Sequence, residues 1–272
     1  MLLHELRQAL RTLASRPLFT TAAILSLALG IGAETSVYAL IRALFDRPPI
    51  GVAQPNEIVA ISAVTKGTPV EDAVRFPDYI YLRDHATVFS GLASHFNSGV
   101  YLVDSERAEA LNGHVVSANY FPVLRLTPRL GRFFLPEEDR VPGRDAVVVL
   151  SHSYWQRRFG GDPRCLGRTI TLNRVPFTVI GVAPVGFEGA KISWPGDVFV
   201  PNMMAGVATR DVDVRTRNSA RLDLLGRLEP GRRLADARAE MTALARQLEA
   251  AFPETNRDAG VLVSGVNGIH PQ

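Results

Sequence analysis

From Leu18 to Ala33 the chain holds sixteen residues without a charge, about 24 Å as a helix, and the apolar pattern resumes past Glu34 through Val37, Leu40, Ile41 and Leu44. Three readings compete for this block: a membrane span, a cleaved signal peptide and a buried core helix. A signal peptide draws on Arg7, Arg11 and Arg16 ahead of the block and on the small residues of "GIGA". Against it stand a long lead-in and an apolar pattern that runs past any such cleavage point. A core helix with a wet face has to explain the length of the uncharged run. Length and flanks favour a span, Pro17 to Asp46, with three arginines before it and Arg42 and Arg47 after it pointing to a cytoplasmic N-terminus. Glu34 then falls near the outer interface, since a carboxylate at the bilayer centre would cost on the order of 2.5–3.5 kcal/mol. Gly30 and Gly32 just below it would let a neighbouring helix approach closely.

The lead-in, residues 1–16, is amphipathic. Leu2, Leu3, Leu6, Ala9, Leu10 and Leu13 share one helical face, and Glu5, Arg7, Gln8, Arg11 and Thr12 share the other. Beyond Pro48 and Pro49 the chain reads as mixed α and β. Strands are predicted at "NEIVAISAV", "GVYLVD", "LNGHVVS", "DAVVVLS", "LDLLGRL" and "AGVLVSGV". A hairpin is predicted from "RTITLN" to "PFTVIGVAP", turning at Asn173 and Arg174. Helices are predicted at "FPDYIYLRDHATVF", with a stripe of Tyr79, Leu82, Ala86 and Phe89, at "SYWQRRF", stopping at Gly160 and Gly161, and at "LADARAEMTALARQLEAAF" before Pro253.

Little in the chain offers chemistry. The net charge is +3, but the basic residues, all arginine except Lys66 and Lys191, are interleaved with acids rather than clustered, which argues against a nucleic-acid partner. There is no G-x-x-x-x-G-K-[ST], so the chain carries no nucleotide-binding loop of that kind. There is no G-x-S-x-G, and "GIGAET" lacks the third glycine of a dinucleotide fingerprint. His85, His95, His114 and His152 are far apart and read as surface or structural residues. Glu137, Glu138 and Asp139 form the one acidic run and read as a solvated turn after Pro136. Trp155 and Phe159 read as core anchors. The lone Cys165 can form no internal disulfide. No catalytic residue, cofactor site or metal site is predicted.

The segment "LRQALRTLASRPLFTTAAILSLALGIGAETSVYALIRALF" resembles the N-terminal start of permeases of the MacB/FtsX type. "FPDYIYLRD", "VSANYFPVLRLTPRLGRFFLPEEDRVPGRDAVVVLSHSYWQRRFGGDP", "GRTITLNRVPFTVIGVAP" and "GFEG" resemble the MacB-like periplasmic core domain, in the form found in duplicated orphan permeases. The resemblance implies an α+β fold: a first transmembrane helix, then a two-lobed extracytoplasmic domain over residues 47–272. One lobe would be porter-like α/β, and a β-rich lobe would be inserted at about residues 130–215. "DRPPIGVAQPNEIV" departs from the more apolar stretch usual in relatives.

Such permeases continue into three further spans, so the resemblance also implies that this is an N-terminal fragment or one product of a split gene. It implies a separate cytoplasmic ATPase as partner; the chain having no P-loop, the expected contact is the amphipathic face of Leu6, Leu10 and Leu13. The remaining spans or a second permease copy are expected against Gly30, Gly32 and Glu34, unless Glu34 is simply solvated at the helix exit. The location implied is the bacterial inner membrane, with the N-terminus cytoplasmic and the main domain periplasmic. Two functions follow from different classes: a permease component, not itself an enzyme, whose outer domain moves when the ATPase works, and a single-pass anchored binding or scaffold protein without transport.

Overall fold

The computed structural model describes residues 17–45, 51–65, 71–104, 107–190, 194–208, 216 and 221–266. The chain divides into two compact units, Met1–Arg47 and Pro48–Gln272. In the first, α1 (Pro17–Phe45) opens on Pro17, where the missing N–H costs nothing. Among its described side chains Leu25, Leu27, Leu29 and Ile31 face outward, 57%, 68%, 74% and 59% exposed. Three of its hydroxyls bond back to its own backbone. Thr21 and Ser36 donate to the carbonyls of Pro17 and Gly32 four residues back, at 2.8 and 2.7 Å, and Thr35 does the same to Ile31. Such bonding spares those three hydroxyls a need for water, which suits a helix in hydrocarbon. Within α1, Thr20–Val37 is long and apolar enough to cross a membrane.

The second unit is built on one twelve-stranded sheet. In chain order its strands are β1 (Ile58–Thr65), β2 (Glu71–Asp72), β3 (Val74–Arg75), β4 (Phe89–Asp104), β5 (Arg107–Val116) and β6 (Leu130–Gly131). They continue as β7 (Val147–Leu150), β8 (Thr169–Leu172), β9 (Val175–Val182), β10 (Val198–Pro201), β11 (Arg221–Leu228) and β12 (Ala259–Gly265). The path runs β12-β1-β11-β4-β5-β10-β7-β9-β6, with β2 and β3 attached to β1 and β11, and β8 joining β4 to β9. Strands from the two ends of the unit therefore lie on one side of the long β4–β5 hairpin. Those from residues 130–201 lie on the other. Most pairs are antiparallel, but β10 runs parallel to β5 and β9 runs parallel to β7.

Both faces of this sheet are covered, and strand composition says why. Val148 and Leu150 belong to one core cluster and Val149 to the other, and Val198, Phe199 and Val200 alternate in the same way. Continuous runs such as "VVVL" suit strands dry on both sides, where an alternating polar face would be stranded. The first cluster is roofed by α2 (Phe76–His85), α4 (His152–Phe159) and α6 (Leu234–Ala251), flanking α3 (Tyr120–Val123), α5 (Ala205–Ala208) and α7 (Pro253–Asn256) in chain order. In α6, Ala237, Met241, Leu244, Ala245 and Leu248 recur at helical spacing and are all buried. The second cluster is aromatic: Phe121 stacks on Phe133 at 4.0 Å and meets Phe134, Phe187 and Phe199 edge-on or tilted.

Local signals account for the turns. Ser151 caps α4 by accepting from the Tyr154 N–H at 3.2 Å, and Gly160 ends it in the left-handed region at φ 60°. Asn173 and Arg174 take φ 49° and 70°, the two left-handed positions of a two-residue hairpin turn. One expected helix is too long: α2 stops at His85, because Ala86 is extended and the β-branched pair Thr87-Val88 leads Phe89 into β4. The two GG residues after α4, the hairpin and α6 stand where the sequence puts them.

Candidate functional site

β5 and β10 are parallel neighbours, so the chain leaves both at the same edge: Ser117 and Asn202 are the first residues past them. Crevices at the carboxyl ends of parallel strands are where α/β folds place ligand sites. Here the crevice is a groove of about 580 Å³ between α2, the 117–122 turn and the 134–142 segment. Phe76, Ile80, Pro122, Phe134, Pro142 and Met203 supply apolar walls. Polar groups are few: Ser117, Asn119 and Asp139 deeper in, and Arg83 and Arg140, both exposed, at its margin.

Its floor is a hydrogen-bonded knot that ties three distant segments together. The Asp139 carboxylate accepts the N–H of Ala118 at 3.1 Å and that of Met203 at 3.0 Å. Ser117 accepts the N–H of Ser94 at 3.0 Å and donates to Asn119, whose amide donates to the Leu92 carbonyl at 3.0 Å. Asn202 donates to Ser94 at 2.7 Å, and Tyr79 donates to Leu92 at 3.3 Å. Burial pushes the Asp139 carboxyl up to about 6, against the N–H bonds from Met203 and Ala118, which favour the ionised form. Burial also raises the Tyr79 phenol.

The acidic run is therefore not a solvated turn. Only Glu137 fits that description. Glu138 grips Arg132 through two bonds of 2.8 and 2.6 Å and accepts the Leu135 N–H at 2.8 Å. Burial alone would raise its pKa, but those bonds overcome it and hold the carboxyl below its usual range. Asp139 turns inward because the short 3₁₀ turn from Pro136 puts successive acids on different sides.

A second buried charge lies where the domain begins. Arg227 of β11 is 2% exposed and donates to the Val123 carbonyl at 2.6 Å, to Glu57 at 2.9 Å and to the Ala53 carbonyl at 3.0 Å. Arg125 adds an ion pair to Glu57 at 3.3 Å and a bond to Gln54. Burial lowers the Arg227 pKa, with Glu57 opposing. The segment that follows α1 in sequence is thus held to the third strand of the sheet path by one guanidinium.

Gly30 and Gly32 have nothing within 4 Å of a Cβ built on them, and Glu34 is exposed on the same helix. Leu6, Leu10 and Leu13 lie outside the described residues. His95 and His114 are buried structural residues and His85 stacks on Tyr81 at 4.1 Å. Trp155 is buried and Phe159 packs against the core, and Cys165 is fully buried. Among the described residues no cluster of three His, Cys, Asp or Glu could hold a metal ion. Sequence reasoning missed the groove, whose walls come from four separated segments, and the Arg227 clamp, whose one signal was an arginine inside an apolar strand.

Residues 20–244 match the MacB-like periplasmic core domain, and the chain belongs to that family. The fold is shared with the periplasmic region of MacB from Actinobacillus actinomycetemcomitans, at 16% identity, a TM-score of 0.57, and coverage of 80% of this chain and 91% of that one. It is also shared with the extracellular domain of YknZ, a noncanonic ABC-type transporter from Gram-positive bacteria. That match has 14% identity, a TM-score of 0.54, and coverage of 75% of this chain and 99% of the other. The comparison with curated proteins finds no match.

Proposed function

We propose that the chain is a membrane-anchored component of an ABC-type permease, with its N-terminus in the cytoplasm, α1 in the inner membrane and the sheet domain outside. The observation that carries this reading is the pairing of α1, long and apolar enough to cross a membrane and with Leu25, Leu27 and Leu29 exposed, with a domain of the MacB-like periplasmic core family. Residues 130–215 serve in this reading as the lobe away from the membrane. The chain has no nucleotide-binding loop of the P-loop type, so work on the outer domain comes from a separate cytoplasmic ATPase, contacted through Leu6, Leu10 and Leu13. Gly30 and Gly32 meet the remaining spans or a second copy. Force delivered along α1 enters the domain through residues 53–57, which Arg227 holds to β11.

The test separates these layers. A phosphatase active only outside the cytoplasm, fused after Gln272, gains activity, and the mature chain keeps a start near Met1. A start near residue 34 returns the signal-peptide reading. With the full chain co-expressed beside a candidate ATPase, alanine at Leu6, Leu10 and Leu13 abolishes co-purification. Retained co-purification removes that contact alone, and ATP turnover by the pure chain removes the separate ATPase.

A further inference from the structure

The groove beside Asp139 combines three features that define a ligand class. Its volume of about 580 Å³ lies within the range of small-molecule sites, roughly 300–1,000 Å³, which are apolar with a few convergent polar groups. Its walls are aromatic, aliphatic and proline side chains, and Leu135 and Val141 extend the apolar surface beside it, 47% and 41% exposed. Its charged groups are unequal in their availability. Asp139, the one lining carboxylate among the described residues, already spends its oxygens on the N–H groups of Ala118 and Met203. Arg140 makes no ion pair among the described residues. Arg83 gives its Nε and Nη2 to the neighbouring Asp84, each at 2.8 Å, and lies over the Tyr79 ring at 5.8 Å, so that only part of its five-donor fork is left for a ligand and Arg140 is the freer of the two.

We propose that this groove binds a small amphipathic anion, its apolar body between Ile80, Pro122 and Phe134 and its anionic group bridged by Arg83 and Arg140. A cation of the same shape would meet two guanidiniums and a carboxylate whose acceptors are in use. A guanidinium presents a planar fork that matches a carboxylate or phosphate, so the pair selects for charge sign as well as for apolar bulk. Nothing in this inference depends on coupling to an ATPase; it holds for a permease and for an anchored binding protein alike.

The experiment uses the full chain in nanodiscs of zwitterionic phosphatidylcholine, with empty nanodiscs as the blank. Equilibrium dialysis compares 2-naphthoate with 2-naphthylmethylammonium, which share an apolar body and differ in charge. The anion binds at least about tenfold more tightly, a difference of about 1.4 kcal/mol. Arg140→Met with Arg83→Met erases that preference, and Ile80→Trp, which fills the groove, lowers binding of both probes. Circular dichroism and thermal unfolding confirm that each variant is folded, and Arg140→Met alone, an exposed change, keeps the comparison available if the double variant unfolds. Equal affinities for the two probes, absence of binding, or naphthoate binding unchanged by the arginine and Ile80 substitutions each overturn the proposal.

Discussion

Leu27 of α1 and Leu82 of α2 are the same side chain on the same kind of secondary structure, yet one is 68% exposed and the other fully buried. In the domain, leucines reach that state because helices and strands present apolar stripes to one another and water is expelled. In α1 the apolar residues run all round, and the hydroxyls of Thr21, Thr35 and Ser36 among them bond back to the helix. Such a surface matches a solvent that is itself apolar. The contrast teaches that composition alone does not separate a core element from a span. What separates them is whether the apolar side chains are covered by other elements of the fold, as Leu82 is, or left open, as Leu27 is.

Substitutions sharpen this contrast, beginning with the largest effect. Phe121→Ala empties the centre of the aromatic cluster and lowers domain stability by about 3–5 kcal/mol, read by denaturant unfolding. The mirror experiment puts a charge into α1. Leu27→Arg costs about 2.5–3.5 kcal/mol of insertion, read as chain lost from carbonate-washed membranes, while domain unfolding stays unchanged. Equal sensitivity of the domain to both would break the comparison.

A titration comes next. Asp139 holds its proton more tightly folded, at about 6, than its ordinary 3.8, so between pH 4 and 6 the folded state binds more protons. Stability therefore falls as pH rises through that window and levels above it. The full difference in pKa corresponds to about 3 kcal/mol, and water in the groove reduces it to roughly 2 kcal/mol. Asp139→Asn flattens the profile. The smallest change is Arg174→Gly, which relieves a left-handed arginine in the hairpin turn and raises stability by less than about 1 kcal/mol.

How much of this was legible depended on how local its cause was. Gly160 ends α4, Asn173 marks the hairpin, and the periodicity of α6 names its buried face; each is a signal within a few residues. The end of α2 was misread because Ala86 and Phe89 continue a helical stripe, while the pull into β4 comes from strands far away in sequence. The acidic run looked solvated because its environment is made by Ala118 and Met203, which no local rule connects to Asp139. The groove was invisible for the same reason. Arg227 shows the general case: one charge in an apolar strand is readable, but its partners Glu57, Ala53 and Val123 are brought to it only by the fold.

The central claim is that α1 anchors the domain outside the cytoplasm, and labelling tests it most directly. Glu229 lies in an exposed turn after β11, whereas native Cys165 is fully buried. In spheroplasts of a bacterial host, Glu229→Cys reacts with a membrane-impermeant maleimide added from outside, while the unsubstituted chain does not react and Leu25→Cys in the same chain adds no further label. Labelling of Glu229→Cys only after the membrane is permeabilised would put the domain in the cytoplasm and contradict the account.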